Sequence, residues 1–173
     1  WLGWDDENRL LFKTPEGETA VSHSATILAL GGASWPKLGS TGGWVPILAE
    51  RDVAIAPLTP SNCGFVVGWS NYFRERFAGE AVKTAVLSFT TSQGETFSRQ
   101  GEFVITETGV EGSLIYAASA LLREEIEREG TAVFHLDLAP NRSETSLIKK
   151  LSQASNQSTA NRLRRLGLKG VRA

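Results

Sequence analysis

The first apolar stretches of this chain are short and separated by turn residues, which predicts β-strands rather than helices. Residues 10–14 and 19–22 flank a turn that contains Pro15 and Gly17, so they are predicted to pair as a hairpin. The continuously apolar residues 25–30 are typical of a strand buried on both faces.

A glycine-rich loop separates that strand from the next apolar segment. Residues 44–50 predict a helix, because Pro46 suits its first turn. The order of strand, glycine-rich loop and helix is that of α/β domains, which bind ligands at the carboxyl ends of their strands.

From residue 53 onwards the pattern changes to short strands with regular turn signals, which is typical of a small β-barrel or sandwich. These predicted strands are 53–55, 65–67, 82–91, 96–99 and 103–106. A helix is then predicted from a Ser113 cap to Gly130, with an apolar stripe along one side. Residues 132–138 alternate as a half-buried strand, and His135 on its less apolar face is interpreted as a surface histidine rather than a catalytic one.

Helical patterns close the chain after Pro140. Ser143 is predicted to cap the first helix, and Ser158 or Thr159 the second, which ends at Gly167. The apolar positions of the first helix are Leu147, Ile148, Leu151 and Ala154.

The composition of the 173 residues is that of a soluble globular protein, with 41% apolar and 21% charged residues. No apolar run reaches the roughly 18 residues of a spanning helix, and the first residues lack the features of a signal peptide. We therefore expect a cytoplasmic protein without membrane contact. Because Cys63 is the single cysteine and there are only two histidines, neither a disulfide nor a metal site is expected. Since the chain has no methionine, we expect it to be an internal fragment of a longer protein.

Charge is unevenly distributed along the chain. Residues 141–173 contain eight basic residues and one acidic residue, although the whole chain has a net charge of −1. This asymmetry allows two interpretations: a solvated face of two helices, or a module that binds nucleic acid or another protein. We favour the solvated face and keep the binding module as the alternative.

The best candidate site from the residue pattern is the glycine-rich loop. Its glycines would let a ligand approach the backbone, and its hydroxyl groups are potential donors. These residues are Gly31, Gly32, Gly39, Gly42 and Gly43, with Ser34, Ser40 and Thr41. The loop is neither a P-loop nor a GxGxxG fingerprint, and two tight turns that join a strand to a helix explain it equally well. Trp35 and Trp44 flank the loop, either as packing residues or as cover for a planar ring.

A second candidate is the segment at 106–112, which is predicted to join a strand to a helix. Its candidate residues are Thr106, Glu107, Gly109, Glu111 and Gly112. Either carboxylate could hold a substrate amine or transfer a proton, and the alternative is an ordinary exposed connection. No Ser/His/Asp combination is evident, so no catalytic residue is assigned.

At these same residues the chain resembles the BaiN-like, aminoacetone oxidase-like bacterial NAD(P)/FAD-dependent flavoproteins, in a largely uncharacterised branch. The resemblance rests on four ordered motifs, ATILALGGASWPKLGSTGGWVPILAE, PLTPSNCGF, GEFVITETGVEGSLIYAASALLRE and FHLDLAP. Together they cover most of residues 10–140. Leu30 is a departure, because threonine is usual at that position of the family's pattern.

The resemblance implies an α+β fold in three parts. They are a remnant of the FAD-binding α/β domain at 1–50, an antiparallel β-barrel-like insert domain with one helix at 51–140, and a basic helical subdomain at 141–173. It also implies a loop near FAD that contains Gly31, Gly32, Ser34, Gly39, Ser40 and Gly42. The 106–112 segment would approach the substrate side.

The implied function is that of the insert or substrate-side region of an FAD-dependent oxidoreductase. The parent protein would bind FAD and a small-molecule substrate, and the flavin would carry the redox chemistry. Because no GxGxxG occurs in these residues, we expect the missing FAD-binding portions of the same chain to be required. For the fragment alone we expect no bound FAD, no activity and no nucleic-acid partner.

Overall fold

Residues 1–59 of the computed structural model form one compact unit around a three-stranded antiparallel sheet. The structure describes residues 1–152 and 156–172. The strands of this first sheet are β1 (Gly3–Trp4), β2 (Leu10–Thr14) and β3 (Gly17–Val21). β2 and β3 are the predicted hairpin, and Thr14 lies opposite Gly17. Gly17 has φ 126°, which residues with a side chain rarely adopt, so the tight turn depends on glycine.

Residues 25–30 do not form the buried strand that their apolar pattern predicts. They have no sheet partner, and Ile27 is 93% exposed. A strand buried on both faces needs paired neighbours and a layer above and below it. The described residues of this unit supply neither for 25–30. The short strand predicted at 53–55 is also wrong, because those residues are irregular.

The glycine-rich loop leads into α1 (Trp44–Ala49), as predicted. Pro46 lies in the first turn of α1, where its missing N–H costs no helical hydrogen bond. Within the loop, a single 3-10 turn at Pro36–Leu38 ends at Gly39, whose φ of 87° is left-handed. The predicted loop and helix are therefore present, but the strand predicted at 25–30, directly before the loop, is not.

The second compact unit, residues 60–173, is built on a five-stranded antiparallel sheet in the order β4-β7-β6-β5-β8. Its strands are β4 (Phe65–Val66), β5 (Ala81–Thr90), β6 (Thr96–Ile105), β7 (Gly109–Glu111) and β8 (His135–Asp137). β5 and β6 form a long hairpin, so the strands predicted at 96–99 and 103–106 are one continuous strand. The predicted alternation at 132–138 is confirmed, with His135 exposed.

Helix α2 (Asn71–Phe77) is not among the predicted elements. Ser70 caps it, since the Ser70 Oγ accepts a hydrogen bond from the Phe73 N–H at 3.2 Å. The signal that could have found it is this capping serine followed by Phe73 and Phe77 on one helical face. Their rings continue a row that starts at Trp69, with centroids 4.6 and 4.9 Å apart.

Helix α3 (Ser113–Glu129) packs against β6 and β7 and closes the core of this unit. The core is formed by the buried side chains of Val82, Ala85, Leu87, Phe89, Phe103, Ile105, Val110, Leu114, Ile115, Ala118 and Leu122. Ser113 is not the cap that the sequence predicts. Gly112 occupies that position, and the Ser113 hydroxyl donates to the Glu102 carbonyl. Gly130 ends α3 in the left-handed conformation, as predicted.

Ser119 ties the segment before β4 to α3. Its side chain is fully buried, and its Oγ accepts from the Cys63 N–H at 3.1 Å. The carbonyls of Cys63 and Ile115 lie 3.0 and 3.1 Å away as acceptors for its proton. The chain is therefore fixed to the helix before its first strand in this sheet begins.

The last helices are α4 (Glu144–Leu151) and α5 (Thr159–Arg165), followed by a 3-10 turn at Gly170–Arg172. Ser143 and Ser158 cap α4 and α5, as predicted. Ala154, predicted on the apolar side of the first helix, lies outside the described residues. The turn contacts the residue just before β5, because the Val171 N–H donates to the Glu80 carboxylate at 3.2 Å.

The structure confirms the predicted α+β class and its antiparallel sheets. The division of the chain at 1–50, 51–140 and 141–173 stays a prediction. No helix in the described part of the chain is long and apolar enough to cross a membrane. Across residues 1–152 and 156–172, no three His, Cys, Asp or Glu side chains are grouped so that they could hold a metal ion.

Glu125 links α3 to the turn between β5 and β6. Its carboxylate accepts from the Ser92 N–H at 2.9 Å and from the Ser92 hydroxyl at 3.0 Å, and Arg128 lies 3.2 Å away. Desolvation acts to raise the pKa of this carboxyl. The hydrogen bonds from Ser92 and Arg128 outweigh it, so the pKa lies below its ordinary value of 4.5.

We expect the free energy of unfolding to decrease at acid pH through Glu125. Because its folded-state pKa is lowered, its contribution is fully present above the ordinary value of 4.5 and is lost as the pH falls through the folded value. In Glu125→Gln the free energy of unfolding should decrease less at acid pH than in the unchanged chain. Urea denaturation from about pH 3 to about pH 7 measures this difference. Glu129→Gln, at an exposed position of α3, is the control. An equal difference in both variants would contradict the assignment.

Candidate functional site

Hydrogen bonds within the glycine-rich loop hold its shape. Trp35 and Ser40 form an antiparallel bridge with N–H to carbonyl distances of 3.3 and 3.1 Å. The Ser40 Oγ donates to the Gly32 carbonyl at 2.8 Å, and the Thr41 Oγ1 accepts from the Gly43 N–H at 3.3 Å. Two of the three hydroxyls predicted as ligand donors are therefore used in shaping the loop.

The glycines of this loop differ in the space around them. A Cβ on Gly32 or Gly39 would meet no atom within 4 Å, whereas one on Gly42 would lie 2.9 Å from the Ala33 Cβ. The backbone N–H groups of residues 31–34 have no hydrogen-bond partner within the described part of the chain. Gly42 is therefore needed for the fold of the loop, while Gly32 and the nearby N–H groups are open to a ligand.

The two tryptophans that flank the loop have different roles. The Trp44 Nε1 donates to the Gly31 carbonyl at 3.1 Å, so this indole anchors the start of the loop. Trp35 is 61% exposed. Ser34, beside it, is exposed as well. Of the two indoles, Trp35 is the one left free to contact a planar ring.

The second predicted segment is a turn followed by β7, so it does not run directly from a strand into a helix. The Thr106 N–H donates to the Gly109 carbonyl at 2.8 Å, which places Glu107 at an exposed tip. Glu111 is exposed at the end of β7, and Gly112 is the N-cap of α3. Neither carboxylate has a salt-bridge partner among the described residues.

Gly109 allows a very close approach between β4 and β7. A Cβ there would overlap the Phe65 carbonyl oxygen and lie 2.9 Å from the Val66 Cα. The Gly109 carbonyl also accepts from the Trp69 Nε1 at 3.2 Å. Gly109 therefore has a role in the packing of the sheet, which the sequence did not indicate.

Two adjoining cavities in the second unit are absent from the predicted sites. One, of about 480 Å³, lies beside α3, and the other, of about 560 Å³, is lined by side chains of β5, β6 and β7. Both are lined by Val66, Val67, Thr131, Ala132 and Phe134. Because about 65 residues separate the two segments that contribute these side chains, no local sequence signal could have found the cavities.

Residues 59–169 match the family described as HI0933-like protein barrel and H2TH domain. This chain belongs to the HI0933-like family. The matched range contains the five-stranded sheet, α3 and the shared walls of both cavities, and the glycine-rich loop precedes it. No curated protein matches the chain. The HI0933-like family is related to FAD-dependent oxidoreductases, so the resemblance to flavoproteins is confirmed at this level.

Proposed function

We propose that this chain is the insert, or substrate-side, region of a bacterial FAD-dependent oxidoreductase of the BaiN-like, aminoacetone oxidase-like branch. The observation that carries the proposal is the HI0933-like match over 59–169. It follows a glycine-rich loop whose N–H groups at 31–34 have no partner in the described part of the chain. The parent protein would act in the cytoplasm on a small-molecule substrate. The missing FAD-binding portions of the same chain would complete the cofactor site, and the region alone would be inactive.

The glycine-rich loop fits one side of a flavin nucleotide. Three of the implied contacts are exposed and leave room for a ligand: Gly32, Ser34 and Gly39. The free N–H groups of residues 31–34 can donate to a phosphate or flavin oxygen. Ser40, Gly42 and the carbonyl of Gly31 support the shape of the loop instead.

FAD, when bound, supplies hydride or electron transfer. The part of this chain would be to bind the nucleotide through backbone donors, with the exposed Trp35 ring covering a planar group and excluding water. Glu107 and Glu111 are proposed for the substrate side, where an exposed carboxylate could hold an amine or accept a proton. No catalytic residue is assigned.

The cofactor loop is tested by Gly32→Val in the full-length protein that carries this region. A Cβ at Gly32 meets no atom within 4 Å, and Gly32 is not among the residues with positive φ, so the fold should be unchanged. The valine methyl groups would occupy the space proposed for FAD and shield the neighbouring N–H groups. We expect the purified variant to retain at least about tenfold less FAD, measured as flavin absorbance relative to protein.

Gly68→Val is the matched control, since a Cβ there is equally unobstructed and Gly68 belongs to the other compact unit. It should leave the FAD content of the purified protein unchanged. If Gly32→Val and Gly68→Val both retained as much FAD as the unchanged protein, the loop would not contact the cofactor.

The alternative function, a nucleic-acid or protein-binding module, depends on the basic side chains of the C-terminal helices. Lys149, Lys150 and Arg165 are exposed there. Another cation is used within the unit, because the Arg172 guanidinium donates to the Lys83 carbonyl at 3.3 Å. We propose that this surface is a solvated helical face.

We expect duplex DNA titrated with the 173-residue chain to show no sub-micromolar complex near physiological salt. Exposed cations alone give weak binding that decreases steeply as salt rises. Fluorescence anisotropy of a labelled duplex measures it, with the Lys149→Gln, Arg165→Gln double variant as the comparison. A sub-micromolar complex that this double variant abolishes would establish the alternative function.

A further inference from the structure

The cavity of about 560 Å³, the aromatic cavity, is lined almost entirely by residues with apolar side chains. Aromatic residues form part of its wall: Trp69, Phe73 and Phe134 are partly exposed, whereas Phe103 is 2% exposed. Apart from the Trp69 indole, its only polar lining side chain among the described residues is that of Thr131. The indole N–H already donates to the Gly109 carbonyl. A ligand in this cavity would therefore meet ring faces and aliphatic groups rather than charges.

Of the two cavities, only the one beside α3 has charged side chains among the described residues that line it. They are Arg123 and Glu127. The Arg123 guanidinium donates to the Pro60 carbonyl, and the carboxylates of Glu124 and Glu127 lie 3.5 and 3.9 Å from it. Because this cation is already surrounded by acids, it offers little to an anion. A charged ligand in the aromatic cavity would lose its hydration without gaining a counter-ion.

A seam between β4 and residues 131–134 connects the aromatic cavity with the surface. Val66 is 86% exposed and Val133 is 70% exposed, and both residues border the cavity. β4 and β8 are the edge strands of this sheet in the described part of the chain, so no strand closes the seam there. A small molecule can therefore enter between the two edges.

We infer that the aromatic cavity binds an uncharged aromatic small molecule, which enters through this seam. Planar rings match the aromatic walls, since such rings attract one another in offset or edge-to-face contacts beyond their burial of apolar surface. Aromatic walls with few polar groups are also typical of ligand cavities of this volume. Binding of such a molecule rests on the cavity alone and not on the proposed function, since the proposed substrate-side carboxylates, Glu107 and Glu111, line neither cavity.

The probe for this inference is N-phenyl-1-naphthylamine, an uncharged aromatic molecule that fluoresces in apolar surroundings. With the 173-residue chain we expect saturable binding and energy transfer from Trp69, the tryptophan that lines the cavity. Trp69→Phe should lower the transfer while directly excited probe fluorescence persists. The anionic probe 1-anilinonaphthalene-8-sulfonate should bind at least about tenfold more weakly. Equal affinity for both probes would overturn the inference.

Ala132→Phe should weaken binding of the uncharged probe by at least about tenfold, because Ala132 lines both cavities and a phenyl ring there would fill the seam. Ala120→Phe is the matched control, at an exposed position of α3 that lines neither cavity. Circular dichroism checks that both variants fold. If Ala132→Phe does not fold, the test is made by NMR on the unchanged chain. Adding the probe should then shift the indole N–H resonance of Trp69.

The inference is overturned if the uncharged probe does not bind saturably, or if Ala132→Phe and Ala120→Phe bind it with equal affinity. It is also overturned if the probe does not shift the Trp69 indole resonance. A dimer seen by sedimentation that excludes the probe would also overturn it, because a second copy would then cover the seam. The FAD content of Gly32→Val is measured independently. Failure of the cavity and failure of the flavin proposal are therefore distinguishable.

Discussion

Gly109→Ala is expected to destabilise the second compact unit by about 3 kcal/mol or more, or to prevent its folding. The added methyl group would overlap the Phe65 carbonyl oxygen and approach the Val66 Cα to 2.9 Å. Both are backbone atoms, so no side-chain rotation can relieve the overlap. β4 would have to separate from β7, which would expose Val110, now 2% exposed, and break the hydrogen bond from Trp69.

Urea denaturation followed by circular dichroism measures this effect, and Trp69 fluorescence reports on the strand contact itself. The matched control is Gly68→Ala, where a Cβ would meet no atom within 4 Å. Its free energy of unfolding should stay within about 0.5 kcal/mol of the unchanged chain. Equal stability of Gly109→Ala and Gly68→Ala would contradict the close contact between β4 and β7 at Gly109.

Purified alone, the 173-residue chain is expected to be colourless and to have neither oxidase nor reductase activity. A dinucleotide needs its pyrophosphate on a glycine-rich turn at a helix N-terminus and a ribose contact from an acidic residue about 20 positions further on. No GxGxxG turn occurs in these residues. The loop with the free N–H groups at 31–34 would hold only one side of the cofactor. Losing the other contacts removes most of the binding free energy, while the cost of ordering the ligand remains.

The measurement is to add FAD to the purified chain, pass it through gel filtration and record the absorbance in the flavin region. Full-length protein treated in the same way is the control and should keep its flavin. A stoichiometric yellow complex of the 173-residue chain would contradict the prediction. It would mean that a complete nucleotide site lies within these residues.

Several elements follow from local sequence, because their hydrogen bonds join residues that are close along the chain. The hairpin of β2 and β3 depends on a turn that contains Gly17, and the caps of α4 and α5 depend on Ser143 and Ser158. The end of α3 at Gly130 follows in the same way. The glycine-rich loop was also evident from the sequence. Its pattern did not distinguish the residues open to a ligand from those that fix the conformation of the loop.

Where an apolar pattern alone is ambiguous, tertiary structure decided which secondary structure forms. Residues 25–30 read as a buried strand but lack a partner in the described chain, because strand formation requires neighbours that no local pattern supplies. The sequence did not predict α2, because its short apolar pattern is also compatible with strands and turns. The role of Gly109 depends on the Phe65 backbone, 44 positions earlier in the chain.

The sequence by itself determined the flavoprotein resemblance, the α+β class that the resemblance implies, and the ends of several elements, such as the caps of α4 and α5 and the end of α3. Only the tertiary structure separated the loop glycines that face open space from those that hold the loop, and only it revealed the aromatic cavity. The physical reason is that residue types and spacings encode hydrogen bonds between near neighbours. A cavity, by contrast, is the space left between side chains from distant segments, and its size and chemistry exist only once those segments have packed.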